Sequence, residues 1–185
     1  MEAVAQIVVD DTTTGSVSFT SLPQTYSSLH IEGMAASTNT GTDVEFYATF
    51  NNITTASYDY QFRRVTRING SHSDYYTWNS GSSSPLLARI PGTQSGAAGA
   101  SNVMALMQMN LTQYRSTDNG SPMIEVRAWT TVDSSGGITR WFENSMGMTT
   151  IDTGMNSTAI TTLTLSTVSY FKEGSVFTLY GRPDS

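Results

Sequence analysis

Short runs in which apolar and polar residues alternate recur along the chain, and glycine or proline separates them. The runs lie at 17–20, 29–35, 44–50, 63–68, 86–90, 123–132, 138–142, 159–167 and 175–180. Alternation with period 2 is typical of strands that bury one face. Short strands with turn signals about every 8 to 12 residues are typical of a β-sandwich or a β-barrel. The pattern therefore predicts an all-β protein.

Segment 103–111 tests this interpretation, because it consists mostly of good helix formers. Within it, Met107, Met109 and Leu111 alternate with two polar residues, which is the period of a strand and not of a helix. We therefore predict a strand here.

The composition supports the same fold class. Charged residues make up 13% of the 185 residues, against about 25% in an average soluble domain, while serine and threonine are abundant. Exposed helix surfaces usually carry lysine, glutamate and arginine, whereas serine and threonine are poor helix formers. A chain of this length buries enough surface for one hydrophobic core, so we expect a single domain.

The net charge disfavours nucleic acid as a partner. The chain has 9 lysine and arginine residues against 15 acidic ones, for a net charge of -6, and binding to phosphate backbones needs clustered cations. The one local basic cluster, Arg63, Arg64 and Arg67, follows Tyr60 and Phe62, which could form a stacking groove. In an acidic chain we favour a solvated or interface-facing strand edge.

The chain shows no pattern of an export signal or a membrane segment. Glu2 stands where a signal peptide needs a cation, and no run approaches about 18 apolar residues. The absence of cysteine excludes disulfides and thiol chemistry. We therefore expect synthesis in a cytoplasm and no membrane partner.

No residue pattern indicates catalysis, so we expect a protein that is not an enzyme and has no cofactor or metal centre. The two histidines are His30, on a predicted strand where it faces solvent, and His72, in a polar turn. Asp43 and Glu45 stand two apart on a predicted strand and share its outer face, whereas a glycosidase needs two acids across a cleft. A zinc site would need a ligand spacing that the chain lacks.

Aromatic residues concentrate between positions 58 and 78. Strand aromatics usually belong to a core or a subunit interface, although exposed rings also bind carbohydrate. Tyr75, Tyr76 and Trp78 lie in a serine- and glycine-rich setting, so we expect an exposed contact there.

Several short strings, in order along the chain, resemble a group of structural proteins from tailed-bacteriophage virions. The strings are 18–26 with 29–31, 46–51 with Tyr58, 109–111 with 114–116, and 158–161 through 179–181. They cover about half of the chain, and the region 63–102 matches no part of the pattern.

The resemblance implies a single-domain antiparallel β-sandwich of jelly-roll type, with residues 1–16 as an amino-terminal arm or first strand and 17–185 as the sandwich. It implies a capsid decoration or cement protein on the particle exterior, bound between subunits of the major capsid protein. The alternative is a tail-fibre or head-fibre module that binds host glycans. We also expect a homotrimer, since capsids offer threefold sites. The expected capsid or oligomer contacts are Ile7, Val8, Val9, Arg63, Arg64 and Arg67, and the expected aromatic contacts are Tyr75, Tyr76 and Trp78.

Overall fold

The computed structural model describes residues 1–41, 43–54, 58–68, 71–93, 103–115, 122–134, 137–149 and 158–183, of which 67–68, 72, 130–134 and 137–149 are described by their backbone alone. Their regular structure consists of β-strands, which confirms the predicted fold class. The strands are β1 (Glu2–Val8), β2 (Ser16–Thr20), β3 (Tyr26–Ala35), β4 (Asp43–Phe50), β5 (Tyr58–Ile68), β6 (Ser71–Ser82), β7 (Leu86–Pro91), β8 (Ala105–Thr112), β9 (Met123–Ser134), β10 (Gly137–Thr149), β11 (Thr162–Thr167) and β12 (Val176–Pro183).

Two antiparallel sheets pack as a sandwich with jelly-roll strand order. The larger sheet has eight strands in the order β1-β12-β3-β8-β9-β10-β5-β6, and the smaller has four in the order β2-β11-β4-β7. Without β5, β6, β9 and β10, two four-stranded sheets remain, β1-β12-β3-β8 and β2-β11-β4-β7, and successive strands change sheet except from β4 to β7. This is a jelly roll of eight strands. The other four strands form two hairpin insertions that pair with each other through β10 and β5 and extend the larger sheet beyond β8.

Alternation of apolar and polar residues decides which face of each strand enters the core. In β4, Val44, Phe46, Ala48 and Phe50 are buried, and the residues between them are half-buried. Segment 103–111 contributes most of β8 and buries every second residue, so the strand prediction is confirmed. Period 2 outweighs helix propensity here because a strand can bury one complete face against the other sheet.

Aromatic side chains fill the space between the sheets. The ring of Phe171 lies 5.3 Å from that of Phe177 and 6.2 Å from that of Phe46, both edge-on. The rings of Phe46 and Phe177 are nearly parallel, and their centroids are 6.1 Å apart. All three side chains are completely buried, and burial of each contributes about 1.5 to 3 kcal/mol.

One end of the sandwich is closed by hydrogen bonds from residues that carry the phage resemblance. The Tyr114 hydroxyl donates to the carbonyl of Pro23, and the carbonyl of Tyr114 accepts from the amide of Ile160 at 2.7 Å. The Gln24 side chain donates to the carbonyl of Ile160 at 3.0 Å. The resembling strings therefore meet in space as structural ties.

Asn51 closes the same end from the smaller sheet. Its side-chain amide donates to the carbonyl of Ala159 at 3.0 Å, and its side-chain oxygen accepts from the amides of Thr161 at 2.8 Å and Thr162 at 3.1 Å. The backbone of Asn51 has a φ of 49°, a conformation that asparagine tolerates better than most residues. The side chain thus continues the pairing of β4 with β11 past the end of the strand.

Strand β6 was not predicted, and the assignment of His72 to a polar turn was wrong. His72 belongs to β6, which is paired with β5 and forms one edge of the larger sheet. Most described side chains of β6 are exposed, so the strand carries no apolar alternation for a periodicity argument to detect. Its threonine, tyrosine and tryptophan residues do favour strands.

Candidate functional site

Apolar side chains form a row across the outer face of the larger sheet, the face directed away from the smaller sheet. Val8, Val176, Met34, Leu106 and Trp129 occupy one register on β1, β12, β3, β8 and β9. We call these five residues the apolar row. All of them except Val176 are between 36% and 53% exposed. Contiguous exposed apolar residues on a soluble domain mark a contact surface.

The outer face beside the apolar row is polar, and several of its charged side chains contact a neighbour of opposite or potentially opposite charge. Arg127 contacts Glu125 at 3.3 Å, and His30 contacts Glu32 at 3.5 Å. The other ring nitrogen of His30 lies 2.7 Å from the side-chain oxygen of Asn110. Low net charge around an apolar centre is typical of protein interfaces, so this face is suited to a protein partner.

The three predicted contacts Ile7, Val8 and Val9 differ in their exposure in the structure. Val8 is exposed and belongs to the apolar row. Ile7 packs against the core, and Val9 is buried in it. The amide of Val9 donates to Ser175, and its carbonyl accepts from Gly174, both at 2.8 Å. Of the three side chains, only that of Val8 is available to a partner.

The predicted arginine cluster is divided between the two faces of β5. Arg63 lies on the outer face and forms a two-point ion pair with Asp74, with distances of 3.2 Å from Nε to Oδ1 and 2.7 Å from Nη2 to Oδ2. The hydrogen bonds that Arg63 donates to the Asp74 carboxylate raise the pKa of Arg63. Arg64 lies on the inner face, where its side chain is 15% exposed and paired with Asp43. The side chain of Arg67 lies outside the described part of the chain.

Arg64 belongs to an ion network that joins the first insertion to the jelly roll. The Asp43 carboxylate accepts from Arg64, and Arg89 lies 3.5 Å from both Asp43 and Glu45. The Tyr47 hydroxyl donates to Glu45, and burial together with this bond raises the pKa of Tyr47 well above its usual value. Asp43 and Glu45 lie on the same side of β4, as predicted, and both contact arginines.

The three predicted aromatic contacts also lie on different faces. Tyr75 is on the inner side of β6, where its ring meets that of the buried Phe62 edge-on at 6.3 Å. Tyr76 and Trp78 occupy the outer face, opposite Arg63 and Gln61 on β5. Both outer rings are more than half exposed. The sequence located this exposed segment but could not separate its two faces, because it did not reveal the strand.

Sequence reasoning missed the remaining members of the apolar row. The signal is an apolar residue out of phase with its strand. Leu106 lies between the inward-facing Ala105 and Met107, and Met34 precedes the inward-facing Ala35. A run of adjacent apolar residues within an alternating strand thus marks a position where the outer face is apolar as well.

Within the described ranges, no three histidine, aspartate or glutamate side chains come close enough together to hold a metal ion. Among the described residues, no helix has the length and apolar character needed to cross a membrane. No protein-family model, curated protein or solved structure matches the chain.

Proposed function

We propose that this protein is a structural component of a tailed-bacteriophage particle, a decoration or cement protein that binds between capsid subunits. The apolar row is the observation that supports a binding role most directly. Exposure of apolar side chains to water is unfavourable in free energy, and a partner that covers the apolar row removes this exposure. The kind of particle is inferred from the short strings that, in order along the chain, resemble proteins of tailed-bacteriophage virions.

The size of this face favours attachment through several copies. Five strands spaced about 4.8 Å apart and about seven residues long at 3.3 Å each give a face of roughly 550 Å². A standard protein interface buries about 800 Å² on each partner. One copy would therefore bind weakly, whereas a homotrimer would gain avidity from three linked faces. Avidity favours several linked copies, and we propose three because capsids offer threefold sites.

Immunogold electron microscopy of purified virions, with antibody against this chain, tests the location. We expect label over the whole capsid surface. Label confined to the tail or the head fibres would favour a fibre component instead, and virions without label would contradict a virion role. Light scattering of the purified protein tests the trimer, which a mass of 20.0 kDa at high concentration would contradict.

A charge placed in the apolar row tests the attachment face. Leu106→Glu should abolish co-sedimentation with particles stripped of this protein, because the carboxylate would lose its hydration inside the contact. Val168→Glu is the matched control, since Val168 is 59% exposed and lies outside the row. Equal binding by both variants would refute attachment through this face.

A further inference from the structure

Two aromatic rings on the first insertion form an exposed platform. Tyr76 and Trp78 stand at alternate positions of β6 and are 60% and 55% exposed on the outer face. Alternate residues of a strand lie about 7 Å apart and project to the same side. Among the described strands, β6 is at the edge of the larger sheet, so none of them pairs with its other side.

Polar side chains line the platform on one side. Arg63 is directly opposite Tyr76, and Gln61 is directly opposite Trp78. Asp74 precedes Tyr76 by two residues and holds the Arg63 guanidinium by two hydrogen bonds. A guanidinium has five N–H donors, so three donors of Arg63 remain after this pairing. The ion pair fixes their direction, which lowers the entropy lost when a ligand binds.

This combination matches the chemistry of a sugar. A pyranose presents apolar C–H groups on one face, which stack on aromatic rings, and hydroxyl groups at its edge, which pair with fixed donors and acceptors. Nucleic-acid bases also stack on aromatic rings, but Asp74 beside the platform and a net charge of -6 oppose a phosphate backbone. The local chemistry therefore favours a neutral ligand.

We propose that Tyr76 and Trp78, flanked by Arg63 and Gln61, bind neutral pyranose oligosaccharides. This site is separate from the apolar row. Three strand spacings, about 14 Å, separate β6 from Trp129 on β9, the nearest strand of the row. The apolar row and the platform share the outer face of the larger sheet, so sugar binding is proposed for the protein free of its particle.

Titration calorimetry tests this inference with hexasaccharides of glucose, mannose, galactose and N-acetylglucosamine as probes. We expect at least one of them to bind. Trp78→Ala and Tyr76→Ala should each weaken that binding by about tenfold or more, as expected for a buried aromatic contact. Trp78→Phe should retain part of the affinity, because it keeps a ring for stacking.

Tyr75→Ala is the matched control, since Tyr75 is 53% exposed on the same strand but lies on the opposite face. It should change the affinity by less than about twofold. The inference fails if none of the four probes binds, or if all three alanine variants weaken binding equally. It also fails if Trp78→Ala abolishes binding to single-stranded DNA, or shifts the sedimentation coefficient, because the platform would then serve nucleic acid or a second copy. Leu106→Glu should leave sugar binding unchanged, which separates this test from that of particle attachment.

Discussion

Replacement of Tyr58 by phenylalanine should destabilise the protein, because one buried backbone amide would lose its hydrogen-bond acceptor. The Tyr58 hydroxyl is buried, accepts from the amide of Phe50 at 3.0 Å and donates to the carbonyl of Ile53 at 2.9 Å. Phenylalanine fills the same space but leaves the amide of Phe50 without its hydroxyl acceptor. A buried donor that loses its acceptor costs about 1 to 3 kcal/mol. Ile53 is only half-buried, so water can reach its carbonyl, and we expect a total of about 2 kcal/mol.

Urea unfolding followed by circular dichroism measures this difference. Tyr58→Phe should lower the unfolding midpoint without changing the slope of the transition, and a loss of about 2 kcal/mol should lower Tm by about 4 to 8 °C in a domain of this size. Tyr170→Phe is the control, because Tyr170 is 48% exposed, and it should change stability by less than about 0.5 kcal/mol. If Tyr58→Phe is as stable as the control, the buried hydroxyl contributes nothing and the reasoning is refuted.

Gly181→Ala should cost about 1 to 3 kcal/mol, because the new Cβ would lie 2.4 Å from the ring of Tyr26; urea unfolding in a Tyr26→Ala background should show a much smaller loss. Asn51→Ala should also cost about 1 to 3 kcal/mol by removing the bonds that continue β4, and equal loss in Asn52→Ala, where the side chain is exposed, would contradict this. Because the pKa of Tyr47 is raised in the folded state, the unfolded chain releases this proton first, near pH 10.0, so stability should fall as the pH rises above that value. Tyr47→Phe should flatten this alkaline decline in a series of denaturation curves; an unchanged slope would exclude the hydroxyl as its source.

Most of the jelly roll follows from the sequence because its strands bury one face only. In β4 and β8, every second residue is apolar and enters the core, so local period and global burial agree. Strand order does not follow from such patterns, since β1 pairs with β12 at the far end of the chain. Pairing between strands that are so far apart in sequence depends on how the two sheets pack together.

The candidate surfaces were harder to predict than the fold. A strand exposed to solvent needs no alternation of apolar and polar residues, so the sequence of β6 did not reveal a strand. The aromatic residues on its two faces could therefore not be told apart. The arginines of β5 were grouped because they are close in sequence, although neighbouring residues of a strand point to opposite faces. Surface chemistry on a strand can be assigned only after the strand itself is established. The virion role, the trimer and the capsid partner stay predictions.

The residues that resemble phage proteins are ones that stabilise the fold. Its strings include Tyr114 and Asn51, whose hydrogen bonds close one end of the sandwich, and Gly181, which lies under the ring of Tyr26. The aromatic platform of Tyr76 and Trp78, proposed to bind sugar, lies in region 63–102, outside those strings. A scaffold that carries a binding site on an inserted segment is a frequent arrangement in proteins.

The place of β12 between β1 and β3 has a consequence for biosynthesis. Until residues 176–183 leave the ribosome, both neighbouring strands have open edges, and the larger sheet cannot close. Pairing between distant segments is slow, and open edges promote aggregation or exchange of strands between chains. Nascent chains held close together on one messenger RNA would therefore be exposed to strand exchange until β12 is made.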